Sequence, residues 1–328
     1  MIRRFLNYGE LEKRLPVFGT EAFLRSRSSD YGWLGNDEYV VPYIVDRKLI
    51  FKRLIFTSEP VQLGRANNSY GPFLDEVIKY IKDSIQVDFI AKPQSNVVLM
   101  SYPENSEHAE WGSYRLELDS FRNDDELMEI IHQKHRNVIR KAVKDGVEVK
   151  EATSIEEVYC CIRETFERQR ELLYPSDKYL RDIKNNLQGQ LLLYKAEWQG
   201  QLQGVAVVPY NHMGGYYYFG GSCARPHPGS LNLLQYQIIK LLKERGVRLY
   251  DFMGARIHVE ENSKFEGIQR FKSRFGGKLV QGHTFRMILK PVKHLLFDAA
   301  VRAYYKLNRA DYQGDLMDQE KSRKLRVG

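Results

Sequence analysis

The sequence predicts an α/β fold of the α+β type, with mixed, mainly antiparallel sheets in two halves, then a C-terminal helix and a basic tail. The length of 328 residues allows two ordinary domains. Hydrophobic residues make up 43% of the chain, which is enough for packed cores. Stretches typical of strands and helices alternate on both sides of Gly146, which follows a polar helical segment. We therefore expect one half at residues 1–146, a second at 147–290, and the helix and tail at 291–328.

The first half begins with a predicted hairpin. Residues 39–45 and 49–56 are rich in β-branched and aromatic side chains, and Asp46-Arg47-Lys48 between them predicts the turn. The further elements, in chain order, are a helix at 74–84, strands at 87–91 and 96–102, and one long polar helix at 126–145.

The second half has a clear helix signal near its start. Ser154-Ile-Glu-Glu157 is a capping box, which predicts a helix that reaches about Leu173. An amphipathic helix after Pro291 is expected to pack on the body, and residues beyond about Asn308 are expected to form a loosely held tail. The other elements, in order, are a strand at 147–152, a helix from 176, hairpin strands around Gly200, a strand at 214–222, a helix at 231–245 and a strand at 248–252.

Positive charge is concentrated at one end of the chain. The net charge is +8, and residues 270–328 contain 14 Lys or Arg against 5 Asp or Glu. A second basic run, which includes Arg136 and Arg140, lies at 134–144. This asymmetry favours an anionic partner, such as RNA, a phosphorylated substrate or an anionic membrane face, with a solvated surface as the alternative.

Several classes of protein are disfavoured. No run approaches the roughly 18 apolar residues of a membrane span, and the start lacks a signal peptide's apolar stretch, so we expect a cytoplasmic protein. Cysteines are few and have no CxxC spacing, which favours buried thiols in a reducing compartment. His132 and His135 lie three apart on a predicted helix without a third ligand, so we expect a solvated face and no metal.

The stretch at residues 249–279 combines a strand end with a group of cations. The apolar strand breaks at Gly254, and a basic segment follows in which Phe271 and Phe275 share one helical face. These rings would hold the segment against a core, so we expect its cations to form a fixed cluster. Such a cluster can bind a phosphate or a charge that develops during group transfer; a basic helix with a solvated face is the alternative. The cations are Arg270, Lys272 and Arg274.

The element order of the second half resembles the GNAT acyltransferase fold. In that fold a strand splays from its neighbour, and the loop before the central helix binds coenzyme A phosphates through backbone N–H groups. Here that loop is residues 223–230, with two prolines and no glycine-rich pattern. Arg225 and Ser230 could still bind an anion there, and a plain helix cap is the alternative.

Three motifs resemble the FemABX-like family more narrowly: HRNVIRKAVKDGVEV (135–149), LYDFMGA (249–255) and GIQRFKSRFGG (267–277). The family comprises double-GNAT, non-ribosomal aminoacyl transferases that build peptidoglycan cross-bridges, with relatives in cell-envelope and polysaccharide loci. The resemblance covers about residues 30–290. It implies a donor amino acid esterified to tRNA and a nucleotide-linked or lipid-linked precursor as acceptor. The chain has no obvious room for the long helical hairpin thought to bind tRNA in some members, which favours the less characterised branch.

Carried over by residue, the resemblance implies a site around Lys272. With Phe271, this lysine matches the family's phenylalanine–lysine pair, which is thought to contact the activated donor or the charge that arises on attack. Tyr250 and Asp251 occupy the matching strand end. Two residues remain open for the family's arginine that contacts acceptor phosphate: Arg168 and Arg170.

The chemistry of transfer from an activated donor requires no catalytic triad. Attack of an amine on an ester or thioester needs a neutral amine, a positioned carbonyl and stabilisation of the oxyanion. Lys272 would stabilise that oxyanion. Asp251 could orient the amine or accept its proton, and pairing of Asp251 with Arg270 or Arg248 is the alternative.

Other residues could bind the substrates. Tyr218 could line the cleft, with core packing of the surrounding aromatic strand as the alternative. Arg136 and Arg140 could bind phosphate or RNA, with a polar helix surface as the alternative.

We therefore predict a transferase that moves an activated acyl or aminoacyl group onto an amine of a peptidoglycan or polysaccharide precursor. It would bind no cofactor tightly and would use aminoacyl-tRNA or acyl-CoA as co-substrate. One alternative is an acyl-CoA-dependent N- or O-acyltransferase that acts on a nucleotide sugar or lipid-linked glycan. Another is a non-catalytic binding or scaffold protein of the same fold. The basic tail leaves open both tRNA as a partner and peripheral contact with the anionic inner membrane face.

Overall fold

The computed structural model describes residues 1–5, 9, 11–64 and 69–327. Helices alternate with strands that pair in both parallel and antiparallel fashion, which confirms the predicted α/β fold class. The chain divides into two compact units. The first consists of Met1–Ser113, Gly254–Glu266 and Val280–Gly328, and the second of Tyr114–Met253 and Gly267–Leu279. The predicted boundary at residue 146 lies within the second unit.

The bounds of the elements are as follows. The strands are β1 (Arg3–Phe5), β2 (Tyr31–Gly35), β3 (Tyr39–Lys48), β4 (Phe51–Phe56), β5 (Val61–Gln62), β6 (Phe89–Ile90), β7 (Glu107–Glu117), β8 (Glu148–Glu151), β9 (Leu191–Trp198), β10 (Gln201–Pro209), β11 (Gly215–Tyr216), β12 (Phe219–Ser222), β13 (Leu249–Asp251) and β14 (Lys278–Ile288). The α-helices are α1 (Glu21–Arg27), α2 (Gly71–Tyr80), α3 (Asp124–Ile130), α4 (Gln133–Lys144), α5 (Ile155–Arg168), α6 (Asp177–Asn186), α7 (Ser230–Glu244), α8 (Lys264–Ser273), α9 (Pro291–Leu307) and α10 (Leu316–Val327).

The first unit is built on a sheet in which β1, β2, β3, β4, β6 and β14 are neighbours in that order. The helix α2 covers its buried face with Leu74, Val77 and Ile78, which pack with Leu54 and Phe285 in one core. A π-helical turn at Ile81–Ile85 continues α2, close to the end predicted at residue 84. Because strands alternate side chains between faces, this one apolar core fixes the register of the sheet.

Parts of the first half were predicted wrongly. The strand β3 continues through Asp46-Arg47-Lys48, and the turn is Leu49–Ile50 instead. Asp46 faces Arg53 across the hairpin and accepts hydrogen bonds from its guanidinium, so these polar residues are stable in a strand. Residues 96–102 form a loop with a single bridge from Leu99 to His283, and the polar strand β7 was not predicted.

The carboxyl-terminal residues are held more firmly than predicted. Met317 of α10 is fully buried, and the buried Glu320 forms an ion pair with Arg256. Arg286 is bound by three carboxylates, those of Glu107, Asp315 and Asp318. The expectation of a loosely held tail is therefore wrong, because acidic side chains of this segment pair with Arg256 and Arg286 of the first unit.

The helix α9 only partly follows its prediction. Its Phe297 packs on Phe51 and Phe89, as expected of a helix that covers the body. Four of its aliphatic side chains, however, are exposed, those of Val292, Leu295, Leu296 and Leu307.

The second unit contains an antiparallel sheet in the order β12, β10, β9 and β8. The helix α7 packs on it through Leu233, Leu234, Ile238, Ile239 and Leu242. The serine N-cap of the predicted capping box is confirmed, because the Ser154 hydroxyl accepts a hydrogen bond from the Glu157 amide, although α5 ends at Arg168 and not near Leu173.

The single helix predicted at 126–145 is two helices. Ile131 is extended and buried, and His132 caps α4 by accepting a hydrogen bond from the Lys134 amide. Burial of Ile131 and this cap together explain the break.

Candidate active site

A strand of the second unit changes partners at one peptide. The amide of Tyr217 donates to the carbonyl of Asp251 in β13 over 2.9 Å, whereas the next amide, that of Tyr218, donates to the carbonyl of Val207 in β10 over 3.0 Å. Accordingly β11 pairs in parallel with β13, and β12 pairs antiparallel with β10. The one strand predicted at 214–222 is therefore two, and the strands β10 and β13 separate on either side of this peptide.

The carboxylate of Asp251 fixes the end of β13. It is fully buried, and its Oδ2 accepts a hydrogen bond from Arg115 Nε at 3.0 Å. Its Oδ1 accepts a second from the Met253 amide at 2.6 Å. Asp251 and Arg115 face each other in the register of β13 and β7. Asp251 pairs with Arg115, which sequence reasoning missed together with its strand, and the predicted partner Arg248 pairs instead with Asp119.

Lys272 points inward from α8. Its side chain is 9% exposed, and its ammonium donates a hydrogen bond to the carbonyl of Met253. Burial lowers the pKa of Lys272 from 10.5 to about 8, and the negative charge of Asp251 acts in the opposite direction. The lysine is therefore a cation at neutral pH, held in a nearly dry site at the carboxyl end of β13.

The predicted cluster of three cations does not form. Lys272 is buried, whereas Arg270 is exposed and Arg274 half-buried. Residues two apart on a helix point about 200° apart, so Lys272 and Arg270 face different surroundings. Arg274 lies beyond the end of the helix.

Aromatic contacts orient α8. Phe275 is fully buried and its ring meets that of Phe252 and that of half-buried Phe271. His135 of α4 contacts both Phe271 and Phe275, and is itself buried, so the expectation that His135 lies on a solvated face is wrong. Burial lowers the pKa of His135 to about 4, with a further contribution from the Arg274 charge.

Two predicted binding residues lie in the core. Tyr250 is fully buried and its hydroxyl donates to Gln235 Oε1 over 2.7 Å. Ser230, the first residue of α7, is also fully buried, and no described residue lies within hydrogen-bonding distance of its hydroxyl. Both side chains can support a site here, but neither is open to a ligand that arrives from solvent.

Other predicted residues lie nearer the surface. The Tyr218 hydroxyl hydrogen-bonds to that of Tyr179 at 2.7 Å. Arg168 donates to the carbonyls of Ser222 and Cys223, so it secures the end of β12. Arg170 is exposed just beyond α5, with a left-handed φ of 57°.

The basic helix α4 presents two predicted arginines. Arg136 donates to the carbonyl of Glu129 over 2.9 Å, which ties α4 to α3. Arg140 is exposed. Of the two, Arg140 is therefore the better placed for an anionic ligand.

The loop before α7 uses several of its own amides. The Cys223 amide donates to the Gln203 carbonyl, and the His227 amide donates to the Gln203 side chain. The Ser230 amide donates to the His227 carbonyl. The ring of His227 stacks on Trp198 and hydrogen-bonds to Asp145 at 2.8 Å. These contacts hold the loop in one shape and engage three of its backbone N–H groups.

Comparison with known proteins shows which folds this chain resembles. Residues 132–273, which include Lys272, match the family described as Acetyltransferase (GNAT) domain. FemX is similar in structure, with a TM-score of 0.65 at 14% identity over 90% of this chain and 99% of that one. In fold, the chain is similar to FemX over most of its length.

Two further solved structures resemble this FemX-like chain. The C-terminal domain of a putative lysylphosphatidylglycerol synthetase from Agrobacterium fabrum has a TM-score of 0.52 at 14% identity, over 90% of this chain and 98% of that one. L-PGS from Bacillus licheniformis has a TM-score of 0.51 at 12% identity, over 88% of this chain and 94% of that one. No curated protein sequence matches the chain.

Proposed function

We propose that the protein is an acyltransferase that moves an aminoacyl group from an activated ester onto an amine of a cell-envelope precursor. The observation that carries the proposal is the buried ammonium of Lys272 at the carboxyl end of β13, where β10 and β13 separate. In a GNAT-type fold this is a place for an acyl donor, and a fixed cation in a dry site can stabilise an oxyanion.

The proposed reaction forms one bond and breaks another. The acceptor amine attacks the donor carbonyl carbon, and the carbonyl oxygen becomes an oxyanion that the Lys272 cation stabilises. The carbon–oxygen ester bond then breaks, and the departing hydroxyl takes up the proton that the amine loses. Asp251 acts as a positioning residue, because both its oxygens already accept hydrogen bonds from Arg115 and Met253.

The loop before α7 favours an aminoacyl ester over acyl-CoA as donor. A pyrophosphate at a helix N-terminus is bound by free backbone N–H groups. Here Pro226 and Pro228 have none, and the amides of Cys223, His227 and Ser230 are already engaged. Aminoacyl-tRNA is therefore the proposed donor, and acyl-CoA the alternative.

The proposed acceptor is a lipid-linked or nucleotide-linked peptidoglycan or polysaccharide precursor. Lysylphosphatidylglycerol, in the name of one similar protein, is a phospholipid whose headgroup carries an aminoacyl group. Exposed Arg140 and Arg170 are candidates to bind the acceptor phosphate. Arg270 of α8 and Arg274, just beyond its end, are further candidates.

Turnover of purified protein tests the proposal. Charged tRNA or acyl-CoA is offered with lipid-linked and nucleotide-linked precursors and with nucleotide sugars, and transfer is followed by mass spectrometry. We expect product from charged tRNA, and a loss of about 10²–10³-fold in kcat for Lys272→Met. Lys278→Met, an exposed lysine nearby, is the matched control and should retain full activity.

Two outcomes would count against this assignment. Full activity of a folded Lys272→Met variant would remove the role of that lysine. Absence of turnover with every donor, together with no thermal stabilisation by any of them, would favour a non-catalytic binding or scaffold protein.

A further inference from the structure

The helix α9 turns an apolar face to solvent. Val292 is 71% exposed, Leu295 68%, Leu296 51% and Leu307 83%. With exposed Ala299 and Ala303, these residues recur at intervals of three or four, so they form one stripe along the helix. An amphipathic helix normally buries such a stripe, and its exposure over four turns marks an interaction surface.

The opposite face of α9 fixes this orientation. The Phe297 ring lies 5.4 Å from that of Phe51 and 5.1 Å from that of Phe89. The ring of His294 also contacts Phe89, at 5.0 Å. The helix is therefore anchored to the first unit by its aromatic face, and its aliphatic stripe points outward.

The tip of the first hairpin continues the apolar surface. Leu49 is 97% exposed and Ile50 64%, at a turn where polar residues are usual. The tip lies beside the start of α9, since Lys293 Nζ donates to the Ile50 carbonyl over 3.4 Å. We call Leu49, Ile50, Val292, Leu295, Leu296 and Leu307 the apolar rim.

Cations border the apolar rim. Residues 290–309 contain five Lys or Arg and one acidic residue, Asp298. Lys306 lies on the exposed side of α9, and Lys48 is exposed at the hairpin beside the tip. Lys290 and Lys293 share a single carboxylate, that of Asp88, so positive charge remains in excess there.

We propose that the apolar rim docks on the surface of an anionic lipid bilayer, with α9 lying in the interface and the hairpin tip inserted beside it. An aliphatic stripe flanked by cations is the pattern of an interfacial helix, in which burial of apolar side chains and attraction to anionic headgroups act together. Among the described residues no helix is long and apolar enough to cross a bilayer. Docking of a second copy through this surface would bring like charges together, which disfavours it. The proposal concerns the first unit alone and does not rest on the proposed function.

Co-sedimentation with vesicles tests the proposal. Vesicles of phosphatidylcholine alone are compared with vesicles that also contain phosphatidylglycerol, at low and high salt. The full chain should bind the anionic vesicles, with partitioning weakened by salt. Leu295→Glu/Leu296→Glu should lower partitioning about tenfold or more, whereas Met100→Glu, which alters an exposed apolar residue elsewhere in the first unit, should bind like wild type.

Charge reversal and light scattering complete the test. Lys306→Glu should weaken binding to anionic vesicles, while Lys79→Glu, at an exposed lysine of α2, should not. Circular dichroism should give unchanged melting for all variants, because every altered side chain is exposed. Equal binding by the Leu295/Leu296 variant and wild type would overturn the proposal. The proposal would also be overturned if light scattering showed a wild-type dimer that this variant abolishes and the wild-type protein did not bind anionic vesicles.

Discussion

The ammonium of Lys272 donates a hydrogen bond to the carbonyl of Met253, whose φ of 54° is left-handed. Such a conformation costs a residue with a side chain on the order of 1–3 kcal/mol. The adjacent carboxylate of Asp251 accepts a hydrogen bond from the Met253 amide. Two polar groups therefore hold one strained residue at the end of β13, and one of them is the proposed oxyanion ligand.

The pH dependence of stability should report on the burial of Lys272. Its folded pKa is about 8 and its ordinary value is 10.5. Between these values the unfolded chain binds the proton that the folded chain has lost, so stability rises with pH in this window. Relative to Lys272→Met, the unfolding free energy of the wild type should rise by up to about 3 kcal/mol as the pH crosses this window. Urea unfolding at a series of pH values measures the difference, and parallel curves for the two proteins would contradict the burial.

Removal of Arg115 should destabilise the second unit strongly. Arg115→Met removes the guanidinium that pairs with the fully buried Asp251 carboxylate, which should cost about 3–5 kcal/mol of unfolding free energy. Arg248→Met is the control, since its ion pair with Asp119 is exposed and should be worth less than about 1 kcal/mol. Arg115→Met/Asp251→Asn should recover part of the loss. Similar costs for Arg115→Met and Arg248→Met would show that the Asp251 site is not dry.

Acid sensitivity should depend on His135. Burial lowers its pKa from 6.5 to about 4, so the unfolded chain binds a proton first as the pH falls and stability is lost in this range. His135→Phe should remove this loss, which is up to about 3 kcal/mol. Thermal melts of wild type and His135→Phe at a series of acidic pH values test this prediction. His212→Gln, at an exposed histidine, should keep the acid response of wild type.

Alanine substitutions at Gly229 and Gly200 should separate two contributions to the loss of stability, a steric clash and an unfavourable backbone conformation. Gly229 and Gly200 both have left-handed φ, at 87° and 73°. A Cβ at Gly229 would lie 2.2 Å from the Val138 carbonyl oxygen, whereas at Gly200 it meets nothing within 4 Å. Gly200→Ala should cost about 1–2 kcal/mol, and Gly229→Ala a further 1–3 kcal/mol or so. Equal melting temperatures would show that α4 yields readily at this loop.

Local signals were sufficient to predict several elements of the fold. Ser154 and Ser176 cap the helices that they were expected to begin, because a cap depends only on the next three residues. The hairpin of β9 and β10 around Gly200 was likewise predicted from alternation and a turn. The fold class followed from the order of such elements.

Long-range features were not predictable in the same way. The strand β7 contains no Val, Ile or Thr, so its pattern does not indicate a strand, and Arg115 was missed as the partner of Asp251. The burial of Lys272 was also missed, because the spacing of Phe271 and Phe275 predicts one core-facing side of the segment but not that Lys272 is buried as well. Lys272 was expected in one fixed cluster with Arg270 and Arg274, whereas it is buried and Arg270 is exposed.

The order of the segments along the chain has a consequence for biosynthesis. Every segment of the second unit precedes residue 280, whereas the first unit needs Met317 and the Arg256–Glu320 ion pair. Chains grow from the amino terminus and compact units fold as they are completed. On the ribosome, the second unit can therefore close while the first still waits for α10, so the unit that begins earliest is the last to be finished.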